Sequence, residues 1–236
     1  MSASFTLRIG IATPIALRRL LHLDGLLCSL AATAGGRWDD IPLERYEGIW
    51  QGSAAMLEVG PFGPVYGQQV RLKHVRKDTV PMAVAEVLPR GGRVIGSMSL
   101  ERNQLTPYPC LAGVRAVWFT GRGDPGAVAD LAARAPGIGG MGRTGYGRTT
   151  GVEVTPLDDA ALTGLTLGDG GPARTMPIDL WGKIGDAEHP RKVVSDERPS
   201  PPYWTGPEEP CVSPMQVNLM GTRAELVAMV ELHRHP

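Results

Sequence analysis

Between Gly137 and Arg148 the chain reads GIGGMGRTGYGR, a stretch whose residue types suit a sugar–phosphate backbone. Gly137, Gly139, Gly140, Gly142, Gly145 and Gly147 carry no Cβ, so the main chain can bend with positive φ and another backbone can approach closely. Successive N–H groups in such a bend can form a concavity for an anion. Arg143 and Arg148 add planar donor forks matched to phosphate. Tyr146 offers a face on which a base or ribose can lie. Met141 and Thr144 complete the loop. A plain flexible linker would favour serine and would lack the two arginines and the tyrosine.

Two further groups could serve the same chemistry. Arg18, Arg19 and His22 precede the first helix. Arg71, Lys73, His74, Arg76 and Lys77 form the densest positive run in the chain. Such a run can be a solvated face or a nucleic-acid contact, and sequence leaves both open. His22, with Arg18 and Arg19 beside it, could alternatively act as an acid or base on a ribose 2′-hydroxyl, and Tyr46 is a second candidate. His189, His233 and His235 lack a cysteine pair or a partnered carboxylate, so no metal is expected. No cofactor is expected either.

The elements around the loop narrow its use. Val114 to Thr120 is a β-branched and aromatic run that reads as a buried strand. Asp124 is an N-cap candidate and Pro125 suits the first helical position. Val128, Leu131 and Ala132 continue a helix toward Arg134, and Pro136 with Gly137 stops it. Gly151 to Val154 reads as the next strand. The glycines therefore follow a helix, whereas a dinucleotide fingerprint lies between a strand and the helix it opens. A Walker-type phosphate loop would end in Gly-Lys-Ser/Thr, and no such triplet occurs. No Gly-x-Ser-x-Gly elbow supports acyl transfer.

Composition sets the outer limits. The 236 residues, 42% of them hydrophobic, can bury a core in one domain with an appendage or in two small domains. Lys+Arg 24 balances Asp+Glu 24, which excludes a freestanding, strongly basic binder but allows local basic patches. The 31 glycines and 21 prolines predict abundant loops. Cys28, Cys110 and Cys211 are odd in number and widely separated, as expected of reduced thiols in a cytoplasmic protein. No secretory signal is expected, and no stretch approaches the roughly 20 apolar residues of a membrane span.

Along the rest of the chain, Phe5–Ile11 alternates as a first strand. Leu23–Ala32 reads as a helix with Asp24 as its cap and Gly35-Gly36 at its end. Trp38, Tyr46 and Trp50 are expected to pack at the core edge. Ala54–Val59 and Gly67–Val75 read as strands joined into a hairpin by Gly60–Pro64. Val94–Leu100 reads as a strand, and Thr106–Gly113 as a proline-containing connector. Beyond Thr155 come turn-rich and proline-rich segments, then an expected strand at Gln216–Leu219 and a helix at Thr222–Leu232. The expected class is α+β, a ferredoxin-like or RRM-like arrangement. It would occupy residues 1–157 with a β-rich insertion at about 50–104, followed by a C-terminal extension over 158–236.

Three stretches together resemble the RAMP superfamily of CRISPR-associated proteins: the glycine-rich Gly137–Arg148, Leu21-His-Leu-Asp-Gly-Leu-Leu27, and Pro201-Pro-Tyr-Trp204 with Cys211. Within it, the last two stretches look like segments of the type IV subunit that caps the 5′ end of the guide, a Cas five-type subunit. The resemblance implies a noncatalytic subunit holding the 5′ handle of a CRISPR RNA. It also implies a thumb-like β-hairpin beside the handle. Implied partners are backbone RAMP subunits, a large Cas eight-like subunit, target DNA in the assembled complex and a DinG-like helicase, in a system of defence or competition between mobile elements. The competing implication is a RAMP-fold endoribonuclease that processes precursor CRISPR RNA. The loop chemistry makes one direct prediction: Arg143→Ala combined with Arg148→Ala should weaken RNA binding uniformly across sequences. The log–log salt slope should fall by about 2, measured by titration at several salt concentrations.

Overall fold

The computed structural model describes residues 2–75, 102–158, 160–190, 192–203 and 207–231. Strand β1 (Ala3–Ile11) leads through a two-residue strand β2 (Ile15–Ala16) into helix α1 (Leu23–Thr33). Two short strands, β3 (Arg45–Tyr46) and β4 (Ile49–Trp50), form a small ladder before β5 (Met56–Val59). Long strands β6 (Val65–Val75) and β7 (Arg102–Ala112) follow, then β8 (Val114–Gly123), helix α2 (Pro125–Ala132) and β9 (Thr149–Pro156). The C-terminal part contains β10 (Met176–Pro177), α3 (Ile178–Ile184), β11 (Lys192–Glu197), β12 (Glu209–Pro214), β13 (Met220–Gly221) and α4 (Arg223–Glu231).

The protein is mixed α+β, built on a five-stranded sheet of order β13-β5-β8-β1-β9. β1 runs antiparallel to both β8 and β9, β5 antiparallel to β8, and β13 parallel to β5. Alternation in the sequence assigns the two faces. Phe5, Leu7, Ile9, Leu57, Val117 and Phe119 pack under α1 and α2 in the main core. Met56, Ala116 and Trp118 point the other way, against Leu167, Ala173 and Leu219 and against Leu226 and Val230 of α4. Both faces are therefore covered. On the second face Glu58 accepts from Arg8 Nε and Trp118 Nε1, each at 2.8 Å. Burial would raise the Glu58 carboxyl, but these bonds hold it below its ordinary value.

Local signals explain the helix ends. Asp124 accepts from the Ala127 amide at 3.0 Å, with Pro125 in the first turn, as the sequence predicts. Thr222 and Glu225 form a reciprocal capping box, the Thr222 amide donating to Glu225 at 2.7 Å. Asp24 behaves differently from expectation. The N-cap position of α1 belongs to His22, whose side chain caps nothing, and Asp24 is fully buried.

Three strand readings change as well. β5 and β6 do not form a hairpin: β5 joins the central sheet, whereas β6 pairs with β7. The Gly60–Pro64 turn swings the chain out of the sheet, and Gly60 N–H meets Gly113 O at 3.1 Å where the chain returns. The expected connector at Thr106–Gly113 is mostly strand β7. Pro107 and Pro109 are tolerated because, among the described residues, the outer edge of β7 pairs only with β2, which reaches just Cys110 and Leu111. Gln216–Leu219 is a 3₁₀ turn rather than a strand. The expected strand at Val94–Leu100 lies outside the described residues.

The C-terminal region carries its own sheet, order β10-β12-β11. It is joined to α1 by a buried ion pair. Arg174 Nη2 lies 2.9 Å from Asp24 Oδ2, and both side chains are fully enclosed. Arg174 also donates to the carbonyls of Trp50, Gly52, Thr175 and Pro199. Tyr203 Oη donates to Asp24 Oδ1 at 2.7 Å. Burial alone would lower the guanidinium pKa; the Asp24 charge outweighs it and raises it. Removing one member of such a pair strands the other in a dry site. Arg174→Met should cost about 3–5 kcal/mol of unfolding free energy, read from urea denaturation.

Candidate nucleic-acid interface

The glycine-rich segment leaves α2 and folds back on itself beside the β1–β2 turn. Ile138 is fully buried in the main core and fastens the loop from below. Its amide donates to Gly147 O at 2.9 Å. Gly140 N–H reaches Ala16 O at 2.7 Å and Gly147 N–H reaches Pro14 O at 2.8 Å. Thr13 bridges both strands of the loop, its Oγ1 donating to Gly145 O at 2.7 Å and accepting from Arg148 N–H at 2.9 Å.

These contacts explain two of the glycines. At Gly147, with φ +62°, a Cβ would fall 2.0 Å from Ile138 O. At Gly139, with φ +83°, it would fall 2.6 Å from Ala16 O. Neither position admits a side chain without moving backbone. The amides of Gly140, Gly145 and Gly147 are thus spent inside the protein. The crest differs. Among the described residues the amides of Gly139, Met141 and Gly142 have no protein acceptor. Met141 sits in the left-handed region at φ 63° and ψ 19°, followed by the 3₁₀ turn Gly142–Thr144. A left-handed residue followed by a right-handed one turns consecutive N–H groups toward one concavity.

Around this crest stand several of the residues singled out from the sequence. Arg18 is exposed, and its Cζ lies 4.8 Å from the ring centroid of Tyr108 in β7. A Cβ on Gly140 would come within 3.8 Å of the same ring. The loop crest, Arg18 and the foot of the β6–β7 hairpin therefore share one surface. Arg148 is exposed and Tyr146 half-buried. Lys73 and His74 lie in β6, their backbone paired with Gln104 and Asn103. Arg76 and Lys77 lie outside the described residues. Tyr108 and Thr13 were not singled out from the sequence. Nothing local marks Tyr108, which lies between two prolines.

Arg19 and His22 turn elsewhere. Both line a cavity of about 1180 Å³ between α1 and the C-terminal sheet. His22 is buried, its ring stacked on Tyr203 at 5.2 Å, and its Nε2 accepts from the Thr175 amide at 3.2 Å. That bond requires the lone pair on Nε2 and the proton on Nδ1. Burial, and then the Arg174 charge, push the imidazole pKa down to about 4. The three thiols are free and buried; burial raises Cys28 to about 12 and Cys211 to about 11. Among the described residues, no three His, Cys, Asp or Glu side chains converge as a metal site would require. None of the described helices is long and apolar enough to cross a membrane.

No family model matches the chain, and no curated protein does. Among solved structures, the chain is similar to one in a cryo-EM structure of the type III-B Cmr-beta bound to cognate target RNA. The likeness has a TM-score of 0.38 at 13% identity and covers 66% of this chain. It spans 61% of the solved chain, less than two thirds of that chain's length.

The His22 geometry generates a pH prediction. Its folded-state pKa is about 4, against an ordinary value of 6.5. As pH falls through that window the unfolded chain takes up a proton that the folded chain refuses, so stability declines. His22→Gln, which keeps an acceptor for the Thr175 amide, should flatten this slope, measured by urea unfolding at pH 7, 6, 5 and 4.

Proposed function

We propose that the chain is a noncatalytic RNA-binding subunit of an RNA-guided CRISPR effector, a RAMP-type protein that holds the 5′ handle of the guide. The observation that carries this reading is the loop crest: amides at Gly139, Met141 and Gly142 with no acceptor among the described residues, beside Arg18 stacked on Tyr108. Backbone donors and a preoriented guanidinium suit phosphate, and the half-exposed tyrosines at 108 and 146 suit a base or ribose. Arg143 and Arg148 would extend the phosphate path. Lys73 and His74 would continue it along the hairpin, in the role of a thumb.

The ferredoxin-like assignment draws support from strand order. The four strands β5-β8-β1-β9, with α1 and α2 as the two crossovers on one face, follow a βαββαβ path in which β6–β7 is inserted between β5 and β8. An RRM-like domain commonly presents its open sheet face to RNA. Here that face is covered by α4 and its neighbours, which favours the loop and hairpin as the RNA surface. The noncatalytic reading draws support from His22, which is neutral, buried and already bonded through Nε2. The finer assignment, a type IV Cas five-type subunit working in the cytoplasm with backbone and large subunits, rests on the sequence resemblance.

Two experiments test the reading. The chain expressed with a CRISPR array should co-purify with a discrete small RNA whose sequenced 5′ end is constant; recovery of no RNA would sink the proposal. Arg18→Ala should reduce the salt slope of RNA binding by about 1, and Tyr108→Ala should weaken binding by releasing the Arg18 guanidinium. Unchanged affinity in both variants would remove the loop crest from the interface.

A further inference from the structure

The cavity between α1 and the C-terminal sheet has features that the RNA reading does not use. Its walls include Leu21, Cys28, Trp38, Val193, Met215 and Val217. Trp38, Met215 and Val217 are 45%, 39% and 60% exposed, so apolar surface is left uncovered along its length. At about 1180 Å³ it exceeds the roughly 300–1,000 Å³ of ordinary small-ligand sites and has room for several side chains.

One wall is an open sheet edge. β11 pairs with β12 on one side, and among the described residues no strand pairs with its other side. Pro214 and Pro210 of β12 stand opposite Lys192 and Asp196 and have no N–H to give. The ladder bonds therefore run through the alternate pairs Val193–Ser213, Ser195–Cys211 and Glu197–Glu209. It follows that the N–H and C=O groups of Lys192, Val194 and Asp196 point outward, away from β12. The side chains of Val193, Ser195 and Glu197 all line the cavity, so the groove follows one face of this edge strand. No proline or bulge interrupts β11.

The far end of the edge is acidic. Glu197 faces Glu209 directly across the ladder. Like charges placed opposite one another cost stability. Among the described residues neither of the two forms an ion pair, whereas Glu208 is held by Arg198 at 2.8 Å. An occupant bringing a positive charge to that end would relieve the repulsion.

We infer that this groove docks an extended segment of a partner protein, added as a strand to the open edge of β11. Its alternate apolar side chains fill the cavity, and a lysine or arginine meets Glu197 and Glu209. Backbone bonds to Lys192, Val194 and Asp196 supply the affinity, and the apolar pockets and acidic end supply the choice of segment. A peptide strand can use the outward N–H and C=O groups as a ladder, which a nucleic acid cannot. The inference stands independently of the RNA reading.

The test uses the full chain and fluorophore-labelled ten-residue peptides of alternating valine and threonine, made with two lysines at either end and with glutamates in their place. One of the lysine peptides should bind at least tenfold more tightly than its glutamate counterpart. Val194→Pro removes an outward N–H and leaves the β12 ladder intact, so it should weaken that peptide at least tenfold without lowering the thermal midpoint. Val193→Lys, which fills the groove from an exposed position, should do the same. Glu197→Lys with Glu209→Lys should reverse the charge preference. The inference is overturned if none of the peptides binds, or if both groove variants bind as tightly as the parent. It is equally overturned if a ten-nucleotide oligouridylate displaces the peptide, or if sedimentation shows the edge occupied by a second copy of the chain.

Discussion

A single guanidinium holds the molecule together. Arg174 has no route to water and must satisfy every donor within the protein. It does so by collecting Asp24 from α1, carbonyls on either side of Gln51, its own neighbour Thr175 and the Pro199 carbonyl. The acceptors come from four separate parts of the chain, two of them flanking Gln51. A buried charge of this kind adds less net stability than its bonds suggest, because its desolvation is costly. What it supplies is mutual position: α1 cannot settle in its final place unless the C-terminal sheet is there too. The small polar cluster of His22, Thr175, Tyr203 and Ser213 extends the same join.

That join decides where function can lie. With helices on one face of the central sheet and α4 on the other, no broad sheet surface is left for a ligand. The surfaces that remain are an edge and its loops. On one side the glycine-rich bend and the foot of the β6–β7 hairpin meet around Arg18 and Tyr108. On the other, the groove beside β11 opens between α1 and the C-terminal sheet. The adjacent residues Arg18 and Arg19 face these two regions separately, so one short segment borders both.

Much of the central sheet was legible because its signals are local. The alternation of β1 and β8, the Asp124 cap and Pro125 specify those elements within a few residues. Strand pairing was not legible in the same way. The choice of β7 rather than β5 as partner for β6 depends on where Gly60 meets Gly113, a contact distant in sequence. Pro107 and Pro109 disguise β7, since proline argues against a strand unless the edge is known to be open. The C-terminal sheet escaped notice for a related reason: its strands are short and bounded by Pro177, Pro210 and Pro214. The loop announced itself by composition. The ring that orients Arg18 did not, and Asp24 looked like an ordinary cap because its true partner lies far along the chain.

The distance between those partners has a consequence for biosynthesis. Asp24 precedes Arg174 by 150 residues and Tyr203 by 179. At roughly 5–20 residues per second, a ribosome needs on the order of ten seconds or more to close that gap. Throughout this interval the nascent chain holds a lone carboxylate on the helix it would otherwise bury. A hydrated anion resists such burial. The amino-terminal half therefore waits in an incomplete state, and maturation of the whole is gated by the arrival of its last third.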